Sequence, residues 1–271
     1  MASQKISFDV IEAAGKAYIR LWEDRRYLFR MASLVMVLKI LFMTVVFAVG
    51  WQENILRQTL LLAPAFLLEG WMLAHVVRLV LLEQRWPISL SGNPEHDAPV
   101  IAESARGILS AMILYMLVIM AKGAVFATLF YSQGRILESE PPQAPPEIAF
   151  DFENAMIYGI SVFGFVVFIL TFRLWWLYVP AAANYSLSGF IRTFSGFQIA
   201  LTMIGGWLIS YVPFIMVNAI VIALINVITL DENLRLFLIL VSHIILDLIA
   251  VMVATMCIAY CIKEVREPPQ T

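Results

Sequence analysis

The sequence predicts an all-α fold: a polytopic membrane protein with a six-helix transmembrane bundle and an N-terminal amphipathic helix at the membrane interface. Composition is the first observation, since 61% of the 271 residues are hydrophobic and 14% are charged. Soluble domains contain about 45–50% apolar and 25% charged residues. The second observation is that the apolar residues fall in long runs separated by short polar segments. One aqueous core cannot bury so much apolar surface, so the bilayer must be the solvent.

The first segment, residues 1–30, is charged, and we expect it to form a helix on the cytoplasmic surface of the membrane. Phe8, Ile11, Tyr18 and Trp22 recur at helical spacing, and the charged residues lie mostly elsewhere on the helical wheel. Acidic residues come early and arginines late, as the helix dipole prefers. This pattern is typical of an interfacial helix. A helix packed beneath the bundle is the alternative.

Six apolar runs follow, each long enough to cross the hydrocarbon core, which needs about 20 residues. They cover residues 31–50, 59–82, 107–130, 155–179, 197–223 and 236–260. They define a transmembrane domain, residues 31–262, and leave residues 263–271 as a cytoplasmic tail. The fifth run continues to Leu230 and contains Pro213, so we expect one kinked or tilted helix there rather than two half-helices.

The distribution of basic residues predicts the orientation of the bundle. Thirteen of the 18 Lys and Arg residues lie in segments that share one side of a six-span protein. The other side has Arg57, Arg135 and Arg235, and the remaining two, Lys39 and Lys122, lie inside spans. Because cytoplasmic segments carry the excess of Lys and Arg, we expect both termini in the cytoplasm.

The third connection, residues 132–154, faces outward in this topology. It reads SQGRILESEPPQAPPEIAFDFEN and holds four prolines and five carboxylates. Proline pairs favour extended or irregular backbone. The composition therefore predicts a solvated linker, with an external ligand-binding loop as the alternative.

The segment RLWWLYVPAAANYSLSGFIRTFSGF, residues 173–197, carries a family resemblance, together with the amphipathic opening and the six spans. The chain resembles the YciC-like proteins of bacterial inner membranes and the membrane domain that accompanies some glycerophosphodiester phosphodiesterases. The resemblance implies a multi-pass protein of the bacterial cytoplasmic membrane. It implies no phosphodiesterase activity, since that domain is not part of this sequence, and it supplies no catalytic residues.

Several ionisable residues fall inside the predicted spans at similar depth. With a rise of about 1.5 Å per residue, Glu69 lies about 15 Å below the outer end of its span, and Lys39 reaches nearly the same depth from the other side. The short loop between these two spans makes them antiparallel neighbours. We therefore expect Lys39 and Glu69 to meet near the midplane. The predicted intramembrane polar layer consists of Lys39, Glu69, Lys122, His243 and Asp247.

Two interpretations of this layer remain open. A charge at the bilayer centre costs at least about 2.5–3.5 kcal/mol unless it is compensated. The two lysines and two carboxylates can form structural ion pairs that decide which helices face each other, in a structural, assembly or lipid-associated membrane component. The balance of charges favours that interpretation. The alternative is a proton-coupled small-solute transporter or channel in which Glu69 or Asp247 titrates.

The remaining basic and aromatic residues are assigned to the membrane surface. We expect lipid headgroup contacts from Arg20, Arg25, Arg26, Arg78 and Arg173, which lie near predicted cytoplasmic helix ends. Tryptophans near the span ends, namely Trp51, Trp86, Trp175 and Trp176, are expected in the interfacial belt. The expected partners are membrane lipids, with other membrane proteins or a second copy of the chain as further candidates. The dispersed basic residues do not predict nucleic-acid binding.

No motif of a catalytic or metal site occurs in the sequence. The three histidines lie on different segments, and Cys257 and Cys261 are one helical turn apart without a neighbouring histidine. H-E-x-x-H, P-loop and G-x-S-x-G patterns are all missing. We therefore expect no enzyme activity, no metal and no cofactor.

Overall fold

The protein folds as a set of helices joined by short connections. A computed structural model describes residues 9–88, 91–138, 166, 168–228 and 231–266, with only the backbone described for residues 129–138. The helices are α1 Val10–Glu23, α2 Arg25–Val49, α3 Ile55–Leu61, α4 Ala63–Leu81, α5 Pro94–Glu138, a 3₁₀ helix Phe172–Trp176, α6 Tyr178–Ala182, α7 Leu187–Thr193, α8 Phe197–Val227 and α9 Glu232–Arg266.

The all-α class is confirmed, since the described residues contain no strand. Among them, five helices are long and apolar enough to cross a membrane: α2, α4, α5, α8 and α9. This finding supports a multi-pass membrane protein. Of the 25 residues of the predicted fourth span, residues 155–179, 12 lie outside the described residues. Its described end belongs to the shorter apolar helical segment Phe168–Ala182, which includes the 3₁₀ helix and α6. The count of six spans therefore stays a prediction.

The predicted second span differs from the observed one because a proline interrupts it. Instead of one helix over residues 59–82, the chain forms α3 and then α4, with Leu62 between them. Pro64 lies in the first turn of α4. A proline has no N–H to give to the preceding turn, but it is well tolerated where a helix begins. The chain therefore starts a new helix at this point.

The other long helices extend beyond their predicted spans. Helix α5 is continuous for 45 residues and reaches Glu138, inside the predicted outer linker. The first proline pair of that linker begins only at Pro141. Every residue of the linker up to Glu138 therefore has the backbone N–H that a helix needs. Helix α8 runs uninterrupted through Pro213, which agrees with one helix rather than two halves. Helix α9 continues to Arg266, into the predicted tail.

Helix α1 packs on α8 and α9 through its small residues. Its buried residues are Val10, Ala13, Ala14 and Ala17, and alanines allow the close approach of neighbouring helices. Ile11, Ile19 and Trp22 lie on the exposed side. The face against the bundle therefore combines these small residues with Tyr18 of the predicted amphipathic pattern, whose ring stacks on Phe214 of α8.

Ion pairs hold α1, the end of α4 and the end of α9 together, at what we call the terminal end of the bundle. Lys16 of α1 lies 3.0 Å from Glu264 and 2.8 Å from Glu12, and these carboxylates raise the pKa of its ammonium above the ordinary value. Lys263 contacts Glu83 at 3.3 Å. Asp24, between α1 and α2, pairs with Arg20 and Arg85.

Helix α4 lies at the centre of the bundle and α8 at its periphery. In the most apolar stretch of each helix, 72% of the α4 residues are buried, against 6% of the α8 residues. The polar side chains of α4 are therefore inside the protein: Glu69, His75 and Arg78 are all buried. A buried charged side chain needs partners from neighbouring helices, so α4 determines where the polar contacts of the bundle form.

Gly70 allows α4 to approach α5 closely, and we expect Gly70→Ala to destabilise the protein. A Cβ at this position would lie 2.9 Å from Met112 Cα, a backbone atom that cannot rotate away. Overpacking of this kind typically costs about 1–3 kcal/mol. The measurement is thermal unfolding in detergent, with Gly205→Ala on α8 as the matched control, where an added Cβ meets no described atom within 4 Å. Equal melting temperatures for the two variants would show that the close approach has no energetic importance.

Candidate functional site

Lys39 joins three helices by contacting two carboxylates. Its Nζ lies 3.0 Å from Glu69 Oε2 and 3.2 Å from Asp247 Oδ2, so that α2, α4 and α9 meet at one ammonium. The side chains of Lys39 and Glu69 are 9% and 1% exposed, and that of Asp247 is 31% exposed. We call these three residues the Lys39 network. Lys39 and Glu69 therefore meet as the depth argument predicts, and Asp247 joins them.

The Lys39 network has one negative charge more than positive when all three groups are ionised. Tyr211 of α8 donates a hydrogen bond to Asp247 Oδ1 and so stabilises one of the two carboxylates. The excess charge lies in a region where water and its screening are scarce, which makes electrostatic interactions strong. One further cation, Lys122 of α5, balances this excess charge.

A cavity of about 330 Å³ adjoins the network. Glu69 and Asp247 form part of its wall, together with Lys39 and with Lys122 of α5. Aromatic side chains with polar groups make up much of the rest: Tyr115, Trp175, Trp176, Tyr178, Trp207 and Tyr211. This central cavity has the composition of a ligand pocket, mostly apolar and aromatic with a few polar groups.

Lys122 is the second cation of the central cavity, and it does not share the carboxylates of the network. Its Nζ lies 4.0 Å from the centre of the Trp175 ring, a cation–π contact. Within the described part of the chain, no carboxylate lies within 4.0 Å of this ammonium. The two lysines and two acids of the predicted layer are therefore divided unequally: Lys39 contacts both acids, and Lys122 faces the cavity.

The 3₁₀ helix Phe172–Trp176 brings two tryptophans into the cavity wall. Trp176 is buried, and its Nε1 has no hydrogen-bond partner among the described residues. The prediction that Trp175 and Trp176 belong to an interfacial belt is wrong for Trp176, because the indole is enclosed by protein. Belt residues are recognised by their position near a span end, but this end of the fourth segment is packed against α4, α5 and α8.

His243, the fifth member of the predicted layer, is exposed and does not line the cavity. It lies one turn from Asp247 on α9, and its Nδ1 is 3.2 Å from Asn218 Nδ2 of α8. The four charged residues of the layer thus surround one cavity, while His243 contacts a neighbouring helix outside it.

Arg78 is buried inside the protein, contrary to the predicted headgroup contact. Its guanidinium donates hydrogen bonds to Ala182 O at 2.8 Å, Gln84 Oε1 at 2.6 Å and Ser104 Oγ at 2.7 Å. The residue is 4% exposed, so its charge cannot reach lipid phosphate. Position near a helix end suggested the surface, but the central place of α4 puts this end inside the bundle.

The other arginines with a predicted headgroup contact differ in their surroundings. Arg20 Nε lies 2.7 Å from Asp24 Oδ2, and Arg25 Nη1 donates to Trp22 O at 2.8 Å. Arg26 is exposed. Arg173 lies half-buried in the 3₁₀ helix, with no hydrogen-bond partner for its Nε among the described residues. Arg25 and Arg26 are the pair most accessible from outside the protein.

Tyr211 and the other aromatic residues of the cavity are functional candidates that the sequence pattern does not single out. The chain has 18 Phe, 7 Trp and 9 Tyr residues, so a single tyrosine in a span carries no signal. Comparison of the chain with protein-family models, with curated proteins and with solved structures gives no match. The function of the chain is therefore inferred from the geometry of the central cavity.

Proposed function

We propose that the chain is a non-catalytic multi-pass membrane protein that binds a small solute with an anionic group in the central cavity, as a step in its transport. The observation that carries this proposal is Lys122. Its ammonium faces the cavity, while both carboxylates at this depth contact Lys39. An ionisable residue in a membrane interior is by default a candidate for a solute path. The cavity beside Lys122 leaves space for a ligand.

The lining supports an organic anion with an apolar body. The Lys122 ammonium is a hydrogen-bond donor that can serve a carboxylate or phosphate. Aromatic faces from Trp175, Trp207 and Tyr115 suit an apolar or planar body. The volume of about 330 Å³ lies in the range of small-molecule pockets.

We also propose that both termini are cytoplasmic and that the membrane is a bacterial inner membrane. The excess of basic residues at the terminal end of the bundle supports the orientation. The exposed stripe of Ile11, Ile19 and Trp22 supports an interfacial position for α1, because it adds an apolar surface outside the bundle contact. The resemblance to YciC-like proteins supports the bacterial membrane.

Matched acid and amide probes test the binding proposal. Benzoate and benzamide have nearly the same shape, as do propionate and propionamide, but only the acids are charged. Intrinsic fluorescence reports binding, because Trp175, Trp176 and Trp207 line the cavity. We expect benzoate to bind at least tenfold more tightly than benzamide, since a charge-assisted contact contributes about 1.5–3 kcal/mol and 1.4 kcal/mol is tenfold.

Lys122→Gln should abolish the preference of the cavity for acids over amides, and Lys263→Gln at the terminal end should leave it intact. Uptake of labelled benzoate into proteoliposomes then separates transport from binding alone. Equal affinities for acid and amide, no binding of either acid, or an unchanged preference in Lys122→Gln would contradict the proposed anion site.

A structural or assembly role is the second candidate, and the Lys39 network favours it. One ammonium that contacts α2, α4 and α9 fixes the relative position of three helices. This role does not require an open cavity or the Lys122 ammonium. This second function would be supported if Lys122→Gln left ligand binding and uptake unchanged while Lys39→Met unfolded the bundle.

A further inference from the structure

We propose a binding site for one acyl chain of an anionic phospholipid in a groove between α2 and α9. The groove is lined by Leu28, Ser33 and Met36 of α2 and by Ile245, Leu248 and Met252 of α9. Trp22 and Arg25 close one end. Among the described residues it shares no lining residue with the central cavity, so this site is independent of the proposed anion site.

The size of the groove fits a single hydrocarbon chain. From Arg25 to Met36 it extends over eleven residues of α2, about 16 Å at the helical rise of ~1.5 Å per residue. Half of a hydrocarbon core of about 30 Å, the length of one leaflet, is nearly the same. The volume is about 210 Å³.

The polarity of the groove is arranged as in a phospholipid, with charge at one end and apolar surface along the rest. Arg25 is the single charged residue among the described residues that line it. Ser33 carries the one hydroxyl of this described lining, and it donates to Arg30 O at 2.8 Å and so requires nothing from a ligand. An acyl chain can therefore occupy the groove without leaving a polar group unpaired.

Arg25 is free to bind a phosphate. Its guanidinium donates to Trp22 O and lies 4.6 Å from the centre of the Trp22 ring, and it pairs with no carboxylate among the described residues. The adjacent carboxylate, Asp24, is held by Arg20 and Arg85. Exposed Arg26 lies in the same corner and offsets the charge of exposed Glu23 there. A planar guanidinium suits phosphate, which accepts two parallel hydrogen bonds from it.

The groove lies at the end of the bundle that the basic residues assign to the cytoplasmic leaflet. Anionic lipids make that leaflet negative, and each basic residue near its surface adds about 1 kcal/mol of attraction. Trp22 at the same level provides an amphipathic ring of the kind found at headgroup depth. Chain length, lining and charge thus favour one occupant, a lipid whose phosphate contacts Arg25.

The test uses the full chain, delipidated in mild detergent, with phosphatidylglycerol and phosphatidylcholine of identical acyl chains as probes. Native mass spectrometry measures the occupancy of the first bound lipid. We expect phosphatidylglycerol to bind at least fivefold more tightly than phosphatidylcholine. Arg25→Gln should remove this preference, and Arg25→Lys should retain part of it. Ser33→Phe should weaken binding of phosphatidylglycerol by filling the groove while leaving the guanidinium in place.

Arg57→Gln is the matched control, because Arg57 also lies over an indole, 5.6 Å from the Trp51 ring, but does not line the groove. It should leave the preference for phosphatidylglycerol unchanged. Equal loss in Arg25→Gln and Arg57→Gln would mean general attraction of anionic lipid to basic residues, and the site proposal would be wrong. Unchanged binding in Ser33→Phe would equally exclude the groove. The fluorescence response to benzoate does not enter these outcomes, so this site and the central cavity are tested separately.

Discussion

Replacement of Lys39 by methionine should lower the stability of the protein by about 3–5 kcal/mol, the typical loss when one member of a buried ion pair is removed. The reason is that Glu69 and Asp247 would both lose the ammonium that they share at 3.0 and 3.2 Å. Denaturant titration of the purified protein in mixed micelles, followed by tryptophan fluorescence, measures this loss. Glu69→Leu should cost less, because Lys39 then keeps Asp247.

Lys16→Met is a matched control, since Lys16 also contacts two carboxylates at similar distances but its side chain is 42% exposed. Exposed ion pairs contribute about 0–1 kcal/mol, so this variant should remain close to the parent protein. The double variant Lys39→Met with Glu69→Leu still leaves Asp247 without its ammonium. It should recover only part of the stability, and the addition of Asp247→Leu should recover more. Full recovery in the double variant would mean that Asp247 is not a member of the network.

Arg78→Met should cause a loss of comparable size, roughly 3 kcal/mol or more, because it removes a charged donor from three acceptors. Gln84 and Ser104 can adapt, but the buried Ala182 carbonyl has a fixed position. Arg78→Lys should recover little of the lost stability. A lysine ammonium on a flexible side chain cannot donate to all three acceptors in the geometry that a planar guanidinium provides. The measurement is the same denaturant titration.

Arg57→Met provides the comparison for Arg78, because its guanidinium makes an exposed cation–π contact with Trp51. Such contacts contribute about 0.5–1 kcal/mol. A loss in Arg78→Met no greater than in Arg57→Met would mean that the buried hydrogen bonds only offset the desolvation of the guanidinium. In that case Arg78 would be a neutral feature of the core and not a source of its stability.

The contact between Lys39 and Glu69 was predictable, because depth and an antiparallel hairpin both follow from short-range sequence features. Each residue has a fixed distance along its helix from the span end, and a short loop leaves little choice of neighbour. Asp247 shares the depth but not the hairpin. Its contact with Lys39 depends on α9 packing beside α2, a relation between segments more than 200 residues apart, and no local pattern encodes it.

The surroundings of Lys122, Arg78 and Trp176 were not predictable for the same physical reason. All three lie in apolar spans where hydrophobicity is nearly uniform around the helix, so the sequence does not show which face is buried. The assignment of Arg78 and Trp176 to the membrane surface used position along the span alone. Their burial arises from the central place of α4 and from the packing of the 3₁₀ helix against α5 and α8, which are properties of the assembled bundle.

The central place of α4 also has a consequence for how the chain is inserted into the membrane during synthesis. Of the five long helices, α4 is the least apolar, and it carries both a carboxylate and a guanidinium. Chains emerge from the ribosome N-terminus first, so Lys39 is already in place when Glu69 arrives, and the two can neutralise each other within one hairpin. Arg78 cannot form all of its hydrogen bonds at this stage, because Ser104 and Ala182 are translated later. The nascent protein must therefore keep one end of α4 near water, or near a chaperoning insertase, until the segment containing Ala182 has been translated.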